Sequence, residues 1–227
     1  MSQGFFITGT DTDVGKTFIA SQLIQSYRQL GKQVLGFKPV ASGAQLLEGE
    51  LKNQDALLLS EYASYQLAYK SINPYCFEPA IAPHIAAEQV SIEIALPIIR
   101  SSYNKLAEHA ELVIVEGAGG WRVPLGDSLG FDDVAKELDL DVILVIGMKL
   151  GCISHALLTE QAIIQKGCRL VGWVANCLEP EFTQINETIE TLEKTLTVPC
   201  LGIFEYQKNR LKKNRFDATQ LASLLNE

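Results

Sequence analysis

No apolar run in this 227-residue chain approaches the ~18–20 residues that a membrane-spanning helix needs; the best, Val142–Gly147, has the length of a strand. The opening Met1-Ser2-Gln3-Gly4 lacks the basic start and long apolar middle of a signal peptide. Cysteine is sparse and scattered: Cys76, Cys152, Cys168, Cys177 and Cys200 form no CxxC pair, and only three histidines (His84, His109, His155) could assist a zinc site. An odd, unpaired set of this kind argues against a disulfide framework and for free thiols in a reducing cytoplasm. Basic residues are also short, 19 Lys plus Arg against 27 Asp plus Glu, for a net charge of −8. An acidic surface repels phosphate backbones and anionic lipid, so nucleic acid and membrane are excluded as general partners, while a local basic pocket is not. Repeats, low-complexity tracts and linkers are missing, and the composition excludes a disordered, collagen-like or coiled-coil chain. What remains is an ordinary globular composition, 47% hydrophobic and 8% aromatic, expected to fold as one domain over residues 1–227.

Short apolar runs alternate with stretches of helical period. Phe5–Thr8, Val34–Phe37, Leu112–Glu116, Val142–Ile146, Val171–Ala175 and Leu201–Phe204 read as strands. Several are continuous rather than alternating, as expected of strands buried on both faces. Thr17–Leu30 carries Phe18, Ala20, Leu23, Ile24, Tyr27 and Leu30 on one stripe and stops at Gly31. Ser154–Lys166 and Phe182–Leu196 have comparable periods, and Ser91–His109 is expected to be helical with Pro97 in its first turns. Residues 43–88 read as an irregular excursion of loops and short helices. This alternation predicts a three-layer α/β fold, a mostly parallel sheet with helices on both faces. In such sheets ligands bind beyond the carboxyl ends of the strands, so the residues there are the candidates for chemistry.

The first strand leads into Gly9-Thr10-Asp11-Thr12-Asp13-Val14-Gly15-Lys16-Thr17 and then a helix, the phosphate-loop arrangement. Backbone N–H groups of such a loop surround phosphate oxygens and the helix N-terminus adds its dipole. Gly15 permits close approach, Lys16 meets the β/γ-phosphates and Thr17 can ligate Mg²⁺. The pattern is a deviant one, because five residues separate Gly9 from Gly15 where four are usual. Lys38 ends the second strand and would bring another cation to the same crevice, or else is simply solvated. Glu116 ends the third, before the Gly117-Ala118-Gly119-Gly120 turn, where phosphate-loop enzymes hold magnesium with one or two carboxylates. Asp55 is an available second carboxylate. Asn176, at another strand end, can read the edge of adenine or merely turn the chain. The helix opening at Lys149-Leu150-Gly151-Cys152-Ile153-Ser154 can present N–H groups to an anion. Pro83-His84 reads as a helix start without a catalytic role.

Together, TGTDTDVGKT (8–17), GFKPVASG (36–43), NQDALLL (53–59), INPYCF (72–77), APHIAA (82–87), VEGAGGW (115–121), ILVIGMKLGCISHALLT (143–159) and GWVANC (172–177) resemble the dethiobiotin synthetases, ATP-dependent ring-closing enzymes of biotin synthesis. The likeness runs in order across residues 8–177 and fades after about Pro180. It implies a homodimer that uses ATP, Mg²⁺ and CO₂ to convert 7,8-diaminononanoate into the cyclic urea dethiobiotin, through a carbamate and a carbamic–phosphoric anhydride. It also implies roles. Lys16 and Lys38 would steady the transferring phosphate, and Thr17, Asp55 and Glu116 would hold magnesium. Asp13, Val14, Gly15 and Phe18 would surround the nucleotide with the Gly117, Ala118 and Gly119 turn, while Asn176, Cys177, Phe204 and Glu205 would border its base. Thr12, Ser42 and Gly119 would line the diamine and carbamate site. Leu150, Gly151 and Ser154 of a partner subunit would catch the substrate carboxylate. The competing class is a dimeric ATPase switch of the partitioning type, which shares the deviant loop. Against it stand the absence of a lysine in Gly9-Thr10-Asp11 and the acidic surface.

Overall fold

The computed structural model describes residues 3–178, 182–206, 216 and 218–225. The elements run β1 (Gln3–Gly9), α1 (Lys16–Gln29), β2 (Val34–Phe37), β3 (Val40–Ala41), β4 (Gln45–Leu47), β5 (Glu50–Lys52), α2 (Gln54–Tyr62), α3 (Tyr69–Ile72), β6 (Tyr75–Cys76), α4 (Pro83–Gln89), α5 (Leu96–Ala107), β7 (Leu112–Glu116), α6 (Phe131–Glu137), β8 (Asp141–Gly147), α7 (Cys152–Lys166), β9 (Leu170–Asn176), α8 (Ile185–Thr195), β10 (Cys200–Phe204) and α9 (Ala218–Leu224). Six strands form one sheet in the order β2-β7-β1-β8-β9-β10, and every neighbouring pair is parallel. These are the six strands expected from the apolar runs.

Successive residues of a strand point to opposite faces, so a continuous apolar run feeds two cores. Phe5, Ile7 and Ile114 pack with Ile19, Leu23 and Tyr27 of α1 and with Leu221 of α9. Phe6, Val113 and Val115 pack on the other face with Ile99 of α5, Val134 of α6, Ile163 of α7 and Leu192 of α8. The result is the helix–sheet–helix layering that the strand–helix alternation predicts. Among the described residues no helix is long and apolar enough to cross a membrane, and all five cysteines are free thiols.

Some boundaries differ from the sequence reading. Helix α5 begins at Leu96 rather than Ser91, with Pro97 in its first turn, because the residues before it turn sharply at Ser91 (φ 52°). Helix α7 begins at Cys152, two residues early, and α8 at Ile185, three late. Helix α6 was not anticipated; its seven residues are too few for a periodic signal, and its start is held by Asp133 accepting the Gly130 N–H at 2.8 Å. The excursion contains the β4–β5 hairpin, three short helices and β6, which pairs in parallel with β3 just before it. Pro180, where the resemblance fades, lies outside the described residues.

Candidate active site

The strand order reverses around β1, so the carboxyl ends of β1, β7 and β2 open a crevice. Register decides which side chains meet there. Ile7 pairs with Glu116 across β1–β7, and Phe37 with Val115 across β2–β7. The next residue of the second strand, Lys38, therefore arrives beside Glu116. Its ammonium donates to Glu116 Oε1 and Asp55 Oδ2, both at 2.8 Å, and to the Gly117 carbonyl at 3.1 Å. All three ammonium protons are thus placed. Thr17, in the first turn of α1, donates its hydroxyl to Glu116 Oε1 at 2.8 Å. Asp55 comes from the first turn of α2, whose N-cap Asn53 accepts the N–H groups of Asp55 and Ala56.

The phosphate loop bridges β1 and α1. Asp13 (φ 58°) and Gly15 (φ 86°) take left-handed backbone, and Gly15 caps the helix with no side chain bonded to its first amides. The start of a helix is where backbone N–H groups and the helix dipole favour an anion. A Cβ on Gly15 would come within 2.1 Å of Asn176 Nδ2, which donates to the Val14 carbonyl at 2.8 Å. Glycine is required here both by its φ and by the amide packed beneath it. Lys16 donates to the Asp11 carbonyl at 2.9 Å, and Asp11 pairs with Lys149 at 2.9 Å.

These groups perturb one another. Burial, with the Lys38 charge nearby, pushes the Lys16 ammonium down to about 8. Burial also opposes the charge on Lys38, but Glu116 and Asp55 outweigh it and hold the ammonium protonated. The Asp55 carboxyl resists burial and is kept below its usual range by Lys38 and the Thr17 hydroxyl. Glu116, buried and beside the Asp55 charge, is pushed above its usual range.

A cleft of about 1100 Å³ brings together twelve of the expected residues: Thr12, Asp13, Gly15, Lys16, Thr17, Phe18, Lys38, Ser42, Asp55, Glu116, Ala118 and Gly119. The others lie off its wall. Val14 is buried beneath the loop, and Gly117 offers its carbonyl to Lys38. Asn176 braces the loop, the Cys177 N–H donates to the Phe204 carbonyl at 2.8 Å, and Phe204 meets the edges of Phe18 and Phe216. Glu205 is exposed. Leu150, 94% exposed, stands with Gly151 and Ser154 on the surface at the start of α7, outside the cleft. His84 is the second residue of α4, as its sequence suggests. Asn53, Tyr62 and Val123 also line the cleft and were not anticipated; of these, Asn53 had a legible signal, since an Asn directly before Gln54-Asp55-Ala56 is a helix N-cap.

The donor set suits a hard divalent cation. Thr17, Asp55 and Glu116 converge as oxygens, and Glu116 Oε2 is buried without a hydrogen-bond partner. Magnesium keeps several waters and needs only one or two carboxylates beside phosphate oxygens, so these residues would hold it. No group of three or more His, Cys, Asp or Glu that could bind a metal occurs among the described residues.

The chain is similar to known proteins. A family model described as an AAA domain matches residues 3–213. The ATP-dependent dethiobiotin synthetase BioD of Aromatoleum aromaticum is 46% identical over 201 residues, covering 88% of this chain and 89% of that protein. The BioD of Nitrosospira multiformis is 44% identical over 225 residues, covering 99% of this chain and 95% of its own. That second match carries the likeness well past Pro180, where the motifs alone had faded. Among solved structures, the MinD cell division protein of Aquifex aeolicus aligns over 100% of this chain and 98% of its own with a TM-score of 0.59 at 14% identity. A ParA family ATPase of Chlorobium tepidum aligns over 92% and 86% with a TM-score of 0.59 at 15% identity. At such identities these two show the phosphate-loop fold alone. The identity and coverage shared with the synthetases go further: this chain belongs to the ATP-dependent dethiobiotin synthetase family.

Proposed function

We propose that the protein carboxylates 7,8-diaminononanoate and closes its ring to dethiobiotin, consuming ATP and CO₂ with Mg²⁺. The observation that supports this reading best is the cluster of Lys38, Asp55, Glu116 and Thr17 facing Lys16 across one cleft. Carbamate and triphosphate are both anionic, and bringing them together requires cations fixed in advance. In the proposed sequence one amine attacks CO₂, forming an N–C bond and losing a proton. A carbamate oxygen then attacks the γ-phosphorus, and the bond to the β-phosphate oxygen breaks to release ADP. The second amine attacks the carbonyl carbon, the C–O bond to phosphate breaks, and phosphate leaves with the ring closed.

In this scheme Lys16 binds the β/γ-phosphates and Lys38 steadies the group in transfer. The α1 N–H groups orient the triphosphate, and bound magnesium would neutralise charge on its oxygens. Thr12, Ser42 and Gly119 border the diamine. We further propose that the catalytic unit is a single domain and a cytoplasmic homodimer. The exposure of Leu150, Gly151 and Ser154 supports their being offered to a neighbouring subunit's substrate. The switch reading rests on a shared fold alone.

The test is phosphate release from ATP and Mg²⁺ with and without bicarbonate and the diamine, with the organic product weighed by mass spectrometry. Release that requires both additions and yields a cyclic urea is expected. Substrate-independent hydrolysis, or none, would overturn the assignment.

A further inference from the structure

Asn73 and Tyr69, which do not line the cleft, join Asn53 of its wall to Lys38 and Asp55. The Lys38 peptide is gripped on both sides: its N–H donates to the Ile72 carbonyl at 2.8 Å, and its carbonyl accepts Asn73 Nδ2 at 2.7 Å. Asn73 is 1% exposed, and its amide also donates to the Tyr75 carbonyl at 2.9 Å. Both amide contacts are to carbonyls, so the nitrogen must face them and Oδ1 must face the other way. There it accepts the Tyr69 hydroxyl at 2.8 Å. The same hydroxyl oxygen accepts the Asn53 backbone N–H at 2.7 Å. Asn53 in turn caps α2 by accepting the Asp55 and Ala56 amides, and donates Nδ2 to the Ser42 carbonyl at 3.1 Å. One continuous path of hydrogen bonds therefore runs from the Lys38 backbone through Asn73, Tyr69 and Asn53 to Asp55 and Ser42. It joins β2 to three separate turns of the excursion.

We propose that Tyr69 is a positioning residue of this site, the hub that sets Lys38 and Asp55 in register with Glu116. The inference rests on the reading of Asp55 and Glu116 as magnesium carboxylates. The phenol is bonded to both halves of the path: its oxygen donates to Asn73 and accepts from Asn53, and it also meets the Cys76 thiol at 3.4 Å. Removing that oxygen leaves a buried amide oxygen and a backbone N–H without partners. The relaxation that follows moves the α2 cap on one side and the Lys38 peptide on the other. The phosphate loop is anchored separately by β1, so nucleotide contacts in that loop stay in place.

The test is calorimetric titration of ATP into wild type, Tyr69→Phe, Asp55→Asn and the double variant over a series of Mg²⁺ concentrations, with thermal unfolding alongside. Tyr69→Phe is expected to raise the Mg²⁺ concentration for half-maximal ATP affinity about fivefold or more, without changing metal-free ATP binding. In the Asp55→Asn background the same substitution should shift it clearly less than in wild type, since only the branch to Lys38 is left to act. An unchanged Mg²⁺ dependence in Tyr69→Phe, or an equal shift in both backgrounds, would overturn the proposal. Should Tyr69→Phe not fold, Asn53→Ala, which cuts the path one step later, must show the same shift and the same dependence on Asp55. If ATP binding by wild type itself ignores Mg²⁺, the metal reading fails first, and the hub fails with it. If wild type depends on Mg²⁺ but the variants match it, only the hub fails.

Discussion

Residues 3–29 and residues 38–89 each deliver a lysine to the same cleft, and they are built on opposite plans. The first region is one strand, one loop and one helix. Main-chain ladders to β7 and β8 hold the strand, and an apolar stripe fastens the helix to it. Its active surface is largely backbone: the amides at the start of α1 and the glycine above Asn176. Lys16 stands at its edge bonded to a carbonyl and partly desolvated. The second region has strands of two or three residues and helices of four to nine. Elements this short have little cooperativity of their own. Their shape comes from side-chain amides and a phenol, and their cation is neutralised by two carboxylates. One lysine is bonded to a carbonyl, the other to two carboxylates.

The contrast predicts different failures. The largest effect belongs to Lys38→Ala, which leaves the buried Glu116 carboxylate without its counter-ion. Removing one partner of a buried pair costs about 3–5 kcal/mol, a fall of roughly 6–20 °C in unfolding midpoint for a chain this size. Turnover should drop more than tenfold, and saturating Mg²⁺ should recover part of the midpoint but not the turnover. Thermal unfolding with and without Mg²⁺ checks this. An unchanged midpoint would mean the pair does not hold the second region together.

Lys16→Ala should lower turnover by more than tenfold yet leave the midpoint within roughly 2 °C, since it removes a desolvated charge that no carboxylate pairs. Near-normal turnover in both purified variants would remove the phosphate-transfer roles altogether. Equal loss of midpoint in both would erase the difference between the regions.

The smallest effect is one of pH. Free Lys16 gives up its proton near pH 8, because burial and Lys38 disfavour the ammonium. A bound triphosphate favours the charged form, so above pH 8 the complex holds more protons than the free protein. ATP affinity should therefore fall as pH rises through 8, by up to about tenfold per pH unit. Calorimetry in buffers of different ionisation heat should register proton uptake there, and its absence would contradict the reading of Lys16.

The same contrast explains what could be read from the sequence. All six sheet strands lay in apolar runs, and Lys38, Glu116 and Asn176 stood at their ends, because burial on both faces imposes a pattern that needs no partner to be recognised. The phosphate-loop spacing was legible for the same local reason. The excursion escaped that logic. Asn53 carried a capping signal, but nothing near Tyr69 says that its hydroxyl will meet Asn73 and the amide of Asn53, sixteen residues away. Helix α6 was missed because seven residues hold too few turns to show a period. The start of α5 was placed early because the residues before Leu96 are themselves partly apolar, and only the turn at Ser91 separates them.

The central claim is that a carbamate oxygen attacks the γ-phosphorus in the cleft between Lys16 and Lys38. It is tested most directly by following oxygen from ¹⁸O-labelled bicarbonate in a reaction short enough to precede exchange with water. The account predicts one labelled oxygen in each phosphate released, with the second retained in the carbonyl of the cyclic urea. Unlabelled phosphate accompanying labelled cyclic urea would contradict it.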